Sequence, residues 1–193
     1  MARPREFEAD AVLDTAMYTF WAQGYEATSL DDLCTATGLN RSSLYASFGD
    51  KRALLLMTLE RYIELGPSRI ATTLAQAIPI RRAMAQLLSI FVNDIVAGPG
   101  RAGCFVGNCA VELAHHDKRA LKLVHEGMRR TEVALFEAFT RAQVHGELKR
   151  DADIAALARF FMSSLQGLHL VGKVNPDRKA MEDITATMLR LLE

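Results

Sequence analysis

The sequence contains few cysteines and no visible export signal. Three of its 193 residues are cysteine, an odd number without the spacing of a disulfide framework, so we expect reduced thiols. The N-terminal residues lack the apolar core of a signal peptide. No apolar run approaches the roughly 20 residues that a membrane-spanning helix needs. With 50% apolar and 24% charged residues, the composition is that of a soluble globular protein, and we expect it in the cytoplasm.

Motifs of the common enzyme classes are also missing. The chain contains no glycine-rich phosphate loop, no nucleophile elbow and no pair of acidic residues placed for acid–base catalysis. His115, His116, Asp117 and His125 lack a convincing ligand spacing, because adjacent histidines point to different sides of a helix. A solvated helix end is the simpler interpretation of this group. We therefore infer no metal, no cofactor and no catalytic site.

The chain has no excess of either charge, with 23 basic and 23 acidic residues. Residues 1–66 carry six basic and ten acidic side chains, so the remaining residues are net positive. An acidic N-terminal region predicts modest, salt-sensitive affinity for nucleic acid. Binding would require the basic side chains to converge on one face, and these are Arg3, Arg5, Arg41, Lys51 and Arg52.

Helical periodicity runs through the whole chain. Apolar residues recur at spacings of three and four, with no strand period and no internal repeat. The pattern predicts an all-α protein of about nine helices. The first spans residues 6–23, after an arm at residues 1–5 whose Arg3 and Arg5 either reach DNA or are disordered. Later helices are predicted from a cap at Thr28 or Ser29 to Gly38, and at residues 40–48, 50–65, 70–77, 80–97, 104–114 and 117–144. Another begins at Asp151 or Asp153 and runs to Gly172, and the last begins at Asn175-Pro176.

A break at Gly66-Pro67-Ser68 divides the predicted helices into two groups. Proline disfavours helical backbone in the residue before it, and a glycine–proline step is a common turn signal. We therefore expect a helix to end near Leu65. The break predicts an N-terminal domain at residues 1–66 and a C-terminal domain at residues 67–193.

Residues 28–51 predict two short helices around a tight turn. Thr28 or Ser29 can cap the first helix, Gly38 can end it, and Asn40 can cap the second. Leu44 and Phe48, four apart, place one apolar face inward. This arrangement is a helix-turn-helix, whose second helix can enter a DNA major groove. The alternative is a helical hairpin that only packs.

Three motifs in this region carry a resemblance to a known family. They are Thr28-Ser29-Leu30-Asp31-Asp32-Leu33, Gly38-Leu39 and Leu44-Tyr45-x-x-Phe48-x-x-Lys51-x-x-Leu54. Over residues 7–62 the chain resembles the DNA-binding domain of the TetR family of transcriptional regulators. The remainder is similar in the number and placement of its helices. The resemblance implies an N-terminal DNA-binding domain and a C-terminal domain for ligand sensing and dimerisation.

The resemblance also implies which residues bind DNA. Arg41, Ser42 and Ser43 would enter the groove, and Arg can read guanine through two hydrogen bonds. The phosphate contacts would come from Thr28, Tyr45, Ser47 and Lys51. The chain departs from the family at Ala46 and Ser47, where large polar or basic residues are frequent. The sequence therefore does not predict the operator.

The last two helices are unusually apolar. Residues 154–171 carry a second apolar or small set beside the core set, namely Leu157, Phe160, Ser164 and Gly167. A helix with two such faces must bury both. This predicts a homodimer through a four-helix bundle, as the resemblance also implies. The alternative is a monomer with a thick core.

The stretch after Arg101 is a candidate sensor. Cys104 is predicted in the first turn of a helix, where the dipole favours a thiolate. Some TetR-like regulators with a similar Gly-Cys step sense electrophiles or oxidants, so Cys104 is a redox-sensing candidate. The alternative is a buried, inert thiol. A small, mostly hydrophobic ligand would be bound by Phe91, Cys104, Asn108, Met128, Phe160, Gln166 and His169. For each of these residues taken alone, core filling is the simpler interpretation.

Together these features predict a DNA-binding transcriptional regulator. We expect a repressor that binds a palindromic double-stranded operator as a homodimer and is released by a small ligand or by thiol modification. The alternatives are an interaction protein of the same fold that does not bind DNA, and an enzyme.

Overall fold

The computed structural model describes residues 3–193, with side chains from Ala9 onward. In this range the chain is all-α, without strands, as the sequence predicts. A 3₁₀ turn at Pro99–Ala102 precedes the sixth helix. The helices are α1 (Arg3–Gln23), α2 (Leu30–Thr37), α3 (Arg41–Phe48), α4 (Lys51–Leu74), α5 (Ile80–Ala97), α6 (Phe105–Leu113), α7 (Lys118–Val144), α8 (Ile154–Val174) and α9 (Arg178–Arg190).

The chain divides into two compact units. The first contains Met1–Glu64 together with Phe105–His125. The second contains Leu65–Cys104 together with Glu126–Glu193. The segment Phe105–His125, which comprises α6 and the start of α7, therefore groups with the helix-turn-helix, although it is distant from it in sequence.

An aromatic cluster joins α6 to the core of the first unit. The Trp21 ring lies 5.2 Å from Tyr62 and 6.5 Å from Phe105, and Tyr62 lies 5.6 Å from Phe105, all between ring centroids. Aromatic pairs at such separations stabilise a core beyond the area they bury. The other buried side chains of this unit are mostly aliphatic, with Phe20 among them, and include Leu33, Leu44, Leu59 and Leu113.

The second unit has one continuous apolar core. It is built from the apolar faces of α5, α7, α8 and α9, with the end of α4. Phe139 of α7 and Phe161 of α8 lie at its centre, with ring centroids 5.2 Å apart. The α8 residues at helical spacing, Ile154, Ala158, Phe161, Leu165 and Leu168, are buried in this core.

The predicted helix break at Gly66-Pro67-Ser68 is wrong. Helix α4 continues through Pro67 to Leu74, so the predicted short helix at residues 70–77 is not a separate element. The clash that proline imposes on the preceding residue depends partly on a Cβ atom, which Gly66 lacks. Ile70 and Leu74 are buried in the core of the second unit, and this packing outweighs the local preference of the sequence.

Two other expectations need revision. Helix α1 begins at Arg3, so residues 3–5 are helical rather than part of an arm. Met1, Ala2 and the side chains of Arg3 and Arg5 lie outside the described residues. Helix α8 is also long and apolar enough, by length and composition, to cross a membrane, although no such run was expected. The core helix of a soluble protein passes the same test, and α8 has a core-facing side.

Candidate nucleic-acid interface

Side-chain caps fix the two helices of the helix-turn-helix. The Ser29 hydroxyl accepts a hydrogen bond from the Asp32 N–H at 3.1 Å, and the Asp32 carboxylate accepts one from the Ser29 N–H at 2.8 Å. Asn40 caps α3, with its side-chain oxygen 2.8 Å from the Ser43 nitrogen. Gly38, at φ 71°, makes the left-handed turn that ends α2. The predicted caps at Ser29 and Asn40 are therefore confirmed.

Helix α3 presents an apolar side to the core and a polar side to solvent. Leu44 and Phe48 are buried, whereas Arg41, Ser42, Tyr45 and Ser47 are exposed and Ser43 is half-buried. This polar side supplies one guanidinium, several hydroxyls and a phenol, which are donors suited to base edges and phosphates. This side is therefore the part of α3 whose side chains can contact base edges and phosphates.

Arg41 is held by an ion pair at the start of the recognition helix. Its Nε lies 3.1 Å from Asp31 Oδ1, and its Nη2 lies 2.8 Å from both Asp31 carboxylate oxygens. Arg41 is the first residue of α3, and Asp31 is the second residue of α2. The sequence predicted a role for Arg41 but gave none to Asp31 beyond its charge in the first turn.

Two predicted phosphate contacts lie at other helix starts, and one of them needs correction. Thr28 has no exposed surface, and its hydroxyl donates to the Gly24 carbonyl at 2.5 Å. Its side chain therefore stabilises the turn after α1, and its hydroxyl proton is not available to a phosphate. Lys51 is half-buried, with its ammonium 4.4 Å from the centre of the Tyr25 ring. A cation–π contact fixes Lys51 beside the α1–α2 turn.

Glu112 of α6 has a role that the sequence does not predict. Its carboxylate accepts hydrogen bonds from the backbone N–H groups of Tyr25 at 2.9 Å and Glu26 at 2.7 Å. Gly24, at φ 87°, makes room for it, since a Cβ there would lie 3.3 Å from a Glu112 oxygen. Eighty-seven residues separate Glu112 from Tyr25, so no local pattern could have revealed the contact.

Two ion pairs add to this connection within the first unit. Arg52, the second residue of α4, binds the Asp117 carboxylate through Nε at 2.5 Å and Nη2 at 2.8 Å. Arg119 lies 2.7 Å from Glu60. Asp117 also accepts hydrogen bonds from the Arg119 and Ala120 backbone at the start of α7. It therefore caps α7 while it fixes the start of α4.

The Asp117 contacts predict a pH-dependent contribution to stability. The Arg52 hydrogen bond, helped by the two backbone donors, lowers the pKa of Asp117 from 3.8 to about 2. Because the pKa of Asp117 is lower in the folded state, the stabilisation is complete at a pH well above 3.8, the pKa in the unfolded chain. It is lost as the pH falls toward about 2. Arg52 is half-exposed, so screening limits the contribution to about 1 kcal/mol.

Asp117→Asn is expected to lower the free energy of unfolding by about 1 kcal/mol near neutral pH. Urea unfolding of the wild type and the variant, repeated between about pH 6 and pH 3, should show the two curves approaching each other as the pH falls. A difference that stays constant over this range would show that the ion pair does not cause it.

The predicted ligand residues are divided between the two units. Asn108 lies in the first unit, whereas Phe91, Met128, Phe160, Gln166 and His169 lie in the second. The prediction for Phe160 needs correction because its side chain is 45% exposed and faces away from the core. Sequence periodicity placed it on an apolar face, and that face is the outer one.

His169 is an unusual member of this set. It is buried with its ring 5.2 Å from Phe91, and among the described residues its Nδ1 has no hydrogen-bond partner. Burial lowers its pKa to about 4, so the imidazole is neutral near physiological pH. An unsatisfied buried nitrogen is costly, so a group that donates a hydrogen bond to it would stabilise the folded protein.

Cys104 differs from its predicted position. Helix α6 begins at Phe105, so Cys104 precedes the first turn rather than lying in it. It is 9% exposed, and Cys109 is more deeply buried. In the described residues no group of histidine, cysteine and acidic side chains could hold a metal ion.

An apolar outer face lies on α8 and α9. Besides Phe160, the exposed residues Leu170, Val171 and Val174 belong to α8, and Ile184 and Leu191 lie in or next to α9. The small residues Ser163 and Gly167 are exposed on the same helix. A face of this kind marks a protein interface, and its two helices are those of the predicted four-helix bundle.

Known proteins resemble both regions of the chain. Residues 12–57 match the bacterial regulatory proteins of the tetR family, and residues 79–188 match the tetracyclin repressor-like C-terminal domain. The HTH-type transcriptional repressor ComR of Escherichia coli (strain K12) is 33% identical over 98% of this chain and 90% of its own length. The uncharacterized HTH-type transcriptional regulator YezE of Bacillus subtilis (strain 168) is 32% identical over the full length of both chains.

A solved complex with DNA is also similar. It contains a cysteine mutant of the TetR family regulator CifR bound to a 26-base-pair double-stranded operator. The two chains are 27% identical, each is covered over 94% of its length, and the TM-score is 0.85.

Proposed function

Because the chain belongs to the TetR family of bacterial regulatory proteins, we propose that it is a transcriptional repressor released from a palindromic operator by an effector. It is a homodimeric DNA-binding regulator. The observation that supports this proposal most directly is the polar side of α3, which faces solvent on a helix capped by Asn40. We place the protein in the cytoplasm, the compartment in which a bacterial regulator binds DNA.

The DNA contacts follow from the exposed groups of the helix-turn-helix. Arg41, Ser42 and Ser43 enter the major groove, with Arg41 the candidate for reading guanine. The phosphates are bound by Tyr45, Ser47 and Lys51. The two recognition helices of a dimer read half-sites about one helical turn apart, so the operator is an inverted repeat.

The effector acts through residues 67–193, and residues 1–66 read DNA. His169 supports a small, mostly apolar effector with one polar group, because a neutral imidazole beside Phe91 offers one unsatisfied nitrogen in an apolar surrounding. Met128 and Gln166 are half-buried in the same unit and can contribute. Thiol modification of Cys104 is the second route to release, and the burial of Cys104 makes it dependent on local opening.

Segment Phe105–His125 is the candidate route from effector to DNA. It follows Cys104 directly in the chain, and its Glu112 and Asp117 bind the α1–α2 turn and the start of α4. An effector that favours one position of this segment would alter the placement of the helix-turn-helix. Release then needs only a difference in effector affinity between the DNA-competent and released states.

Operator binding can be tested by fluorescence anisotropy on DNA flanking the gene, with a scrambled duplex as control. We expect a salt-sensitive preference for the flanking DNA. Arg41→Ala should weaken it by about tenfold or more, since a bidentate guanine contact is worth about 1–3 kcal/mol. Tyr45→Phe should weaken binding to both duplexes, and each variant should remain a dimer by light scattering. Unchanged binding in both variants would contradict the assigned surface.

The same assay separates the two routes to release. A thiol-alkylating electrophile should release DNA from the wild type but not from Cys104→Ser if the cysteine is the sensor. Release by an apolar small molecule that His169→Phe abolishes would support the ligand route. Release of both Cys104→Ser and wild type by the electrophile would exclude Cys104.

A further inference from the structure

We propose that Asp31 is a specificity-determining positioning residue that presents Arg41 to a guanine. The inference rests on the proposed function, and it adds a residue of α2 to the reading of the operator. Asp31 touches no base in this scheme. It acts through the orientation of the Arg41 guanidinium.

The geometry of the ion pair sets which edge of Arg41 remains for DNA. Asp31 binds Nε and Nη2, which form one side of the planar guanidinium. The edge formed by Nη1 and Nη2 therefore points away from the carboxylate. That edge carries two parallel N–H donors, which is the arrangement that matches O6 and N7 of guanine.

The backbone on both sides of the pair is fixed. Asp31 lies between the cap residue Ser29 and its partner Asp32, and Arg41 directly follows the cap residue Asn40. A long arginine side chain would otherwise lose considerable rotamer freedom on binding DNA. The ion pair already restricts this freedom in the protein without DNA, so less conformational entropy is lost when DNA binds.

Stability alone does not explain the pair. The side chains of Arg41 and Asp31 are 61% and 74% exposed. An ion pair this exposed contributes little to folding. A carboxylate at the reading surface also repels phosphates, which weakens binding to every sequence. We infer that the ion pair improves discrimination between DNA sequences, because it orients the Arg41 guanidinium.

The test is selection of binding sites from a random duplex library by the full-length protein. The wild type should enrich an inverted repeat with a fixed guanine in each half-site that Arg41→Ala no longer prefers. Asp31→Asn should lower the preference for that guanine by about tenfold, within the range of a bidentate contact, and raise affinity for unrelated DNA. Asp31→Glu should retain part of the preference.

Two controls separate orientation from charge. Glu26→Gln removes one negative charge from the same unit, at an exposed residue outside the ion pair, and should raise affinity without changing the base preference. In the Arg41→Ala background, Asp31→Asn should have no further effect on that preference. Dimer mass and thermal unfolding should be unchanged in each variant.

The outcomes distinguish the two proposals. If the wild type enriches a sequence and Asp31→Asn keeps the guanine while binding all DNA more tightly, Asp31 is only a repulsive charge and the inference is wrong. A change in preference that persists without Arg41 would also overturn it. If the wild type enriches no sequence, the proposed function fails, and this inference fails with it.

Discussion

Phe160→Asp is expected to convert the dimer into a monomer and to lower operator affinity by about a hundredfold or more. Phe160 is one of the exposed apolar residues on the outer face of α8, and we propose that a second copy of this face covers it. A carboxylate buried in an apolar interface loses its hydration without gaining a partner. Two linked recognition helices gain from their high effective concentration, and separated subunits lose this gain.

The chain offers a matched control for this variant. Phe136 of α7 is also a phenylalanine in the second unit, and it is 43% exposed, against 45% for Phe160. Phe136→Asp removes the same ring and adds the same charge outside the α8–α9 face. It should leave the mass measured by light scattering and the operator affinity unchanged. A Phe160→Asp protein that remains a dimer would place the interface elsewhere.

Glu112→Ala should destabilise the protein by about 2 kcal/mol and weaken operator binding, because the α1–α2 turn loses its acceptor. The Tyr25 and Glu26 N–H groups both donate to this carboxylate, and hydrogen bonds to a charged group are the stronger ones. Water can replace the acceptor only in part, since the Tyr25 bond is partly buried. The turn positions α2 and therefore the helix-turn-helix.

Urea unfolding and operator titration would check this prediction. Glu112→Gln keeps one acceptor oxygen and should restore about half of the lost stability. Glu137→Ala, at an exposed position of α7, is the matched control and should change the free energy of unfolding by less than about 0.5 kcal/mol. Equal stability of Glu112→Ala and the wild type would mean that the α1–α2 turn does not depend on this carboxylate.

Local chemistry made much of the first unit predictable. The caps at Ser29 and Asn40 and the turn at Gly38 depend on residues within four positions of each other, so their signals are present in the sequence. The apolar spacing of Leu44 and Phe48 likewise determined which side of α3 faces solvent. The family resemblance then gave that surface its function.

The predictions that were wrong concern residues whose conformation or exposure depends on tertiary contacts. Pro67 is a strong local signal for a break, but burial of Ile70 and Leu74 keeps α4 helical. Thr28 has the right type and place for a phosphate contact, yet the carbonyl of Gly24 takes its hydroxyl. Glu112 shows no local pattern at all, because its partners are distant backbone groups. Periodicity also cannot say whether Phe160 faces the core or a partner.

The placement of α6 limits how this protein can be divided. Residues 1–66 would lose Phe105 from the aromatic cluster and Glu112 from the α1–α2 turn if they were separated from the rest of the chain. The unit that contains the helix-turn-helix is therefore discontinuous in sequence. We expect the helix-turn-helix of this protein, transferred to another regulator, to be less stable unless residues 105–125 are transferred with it.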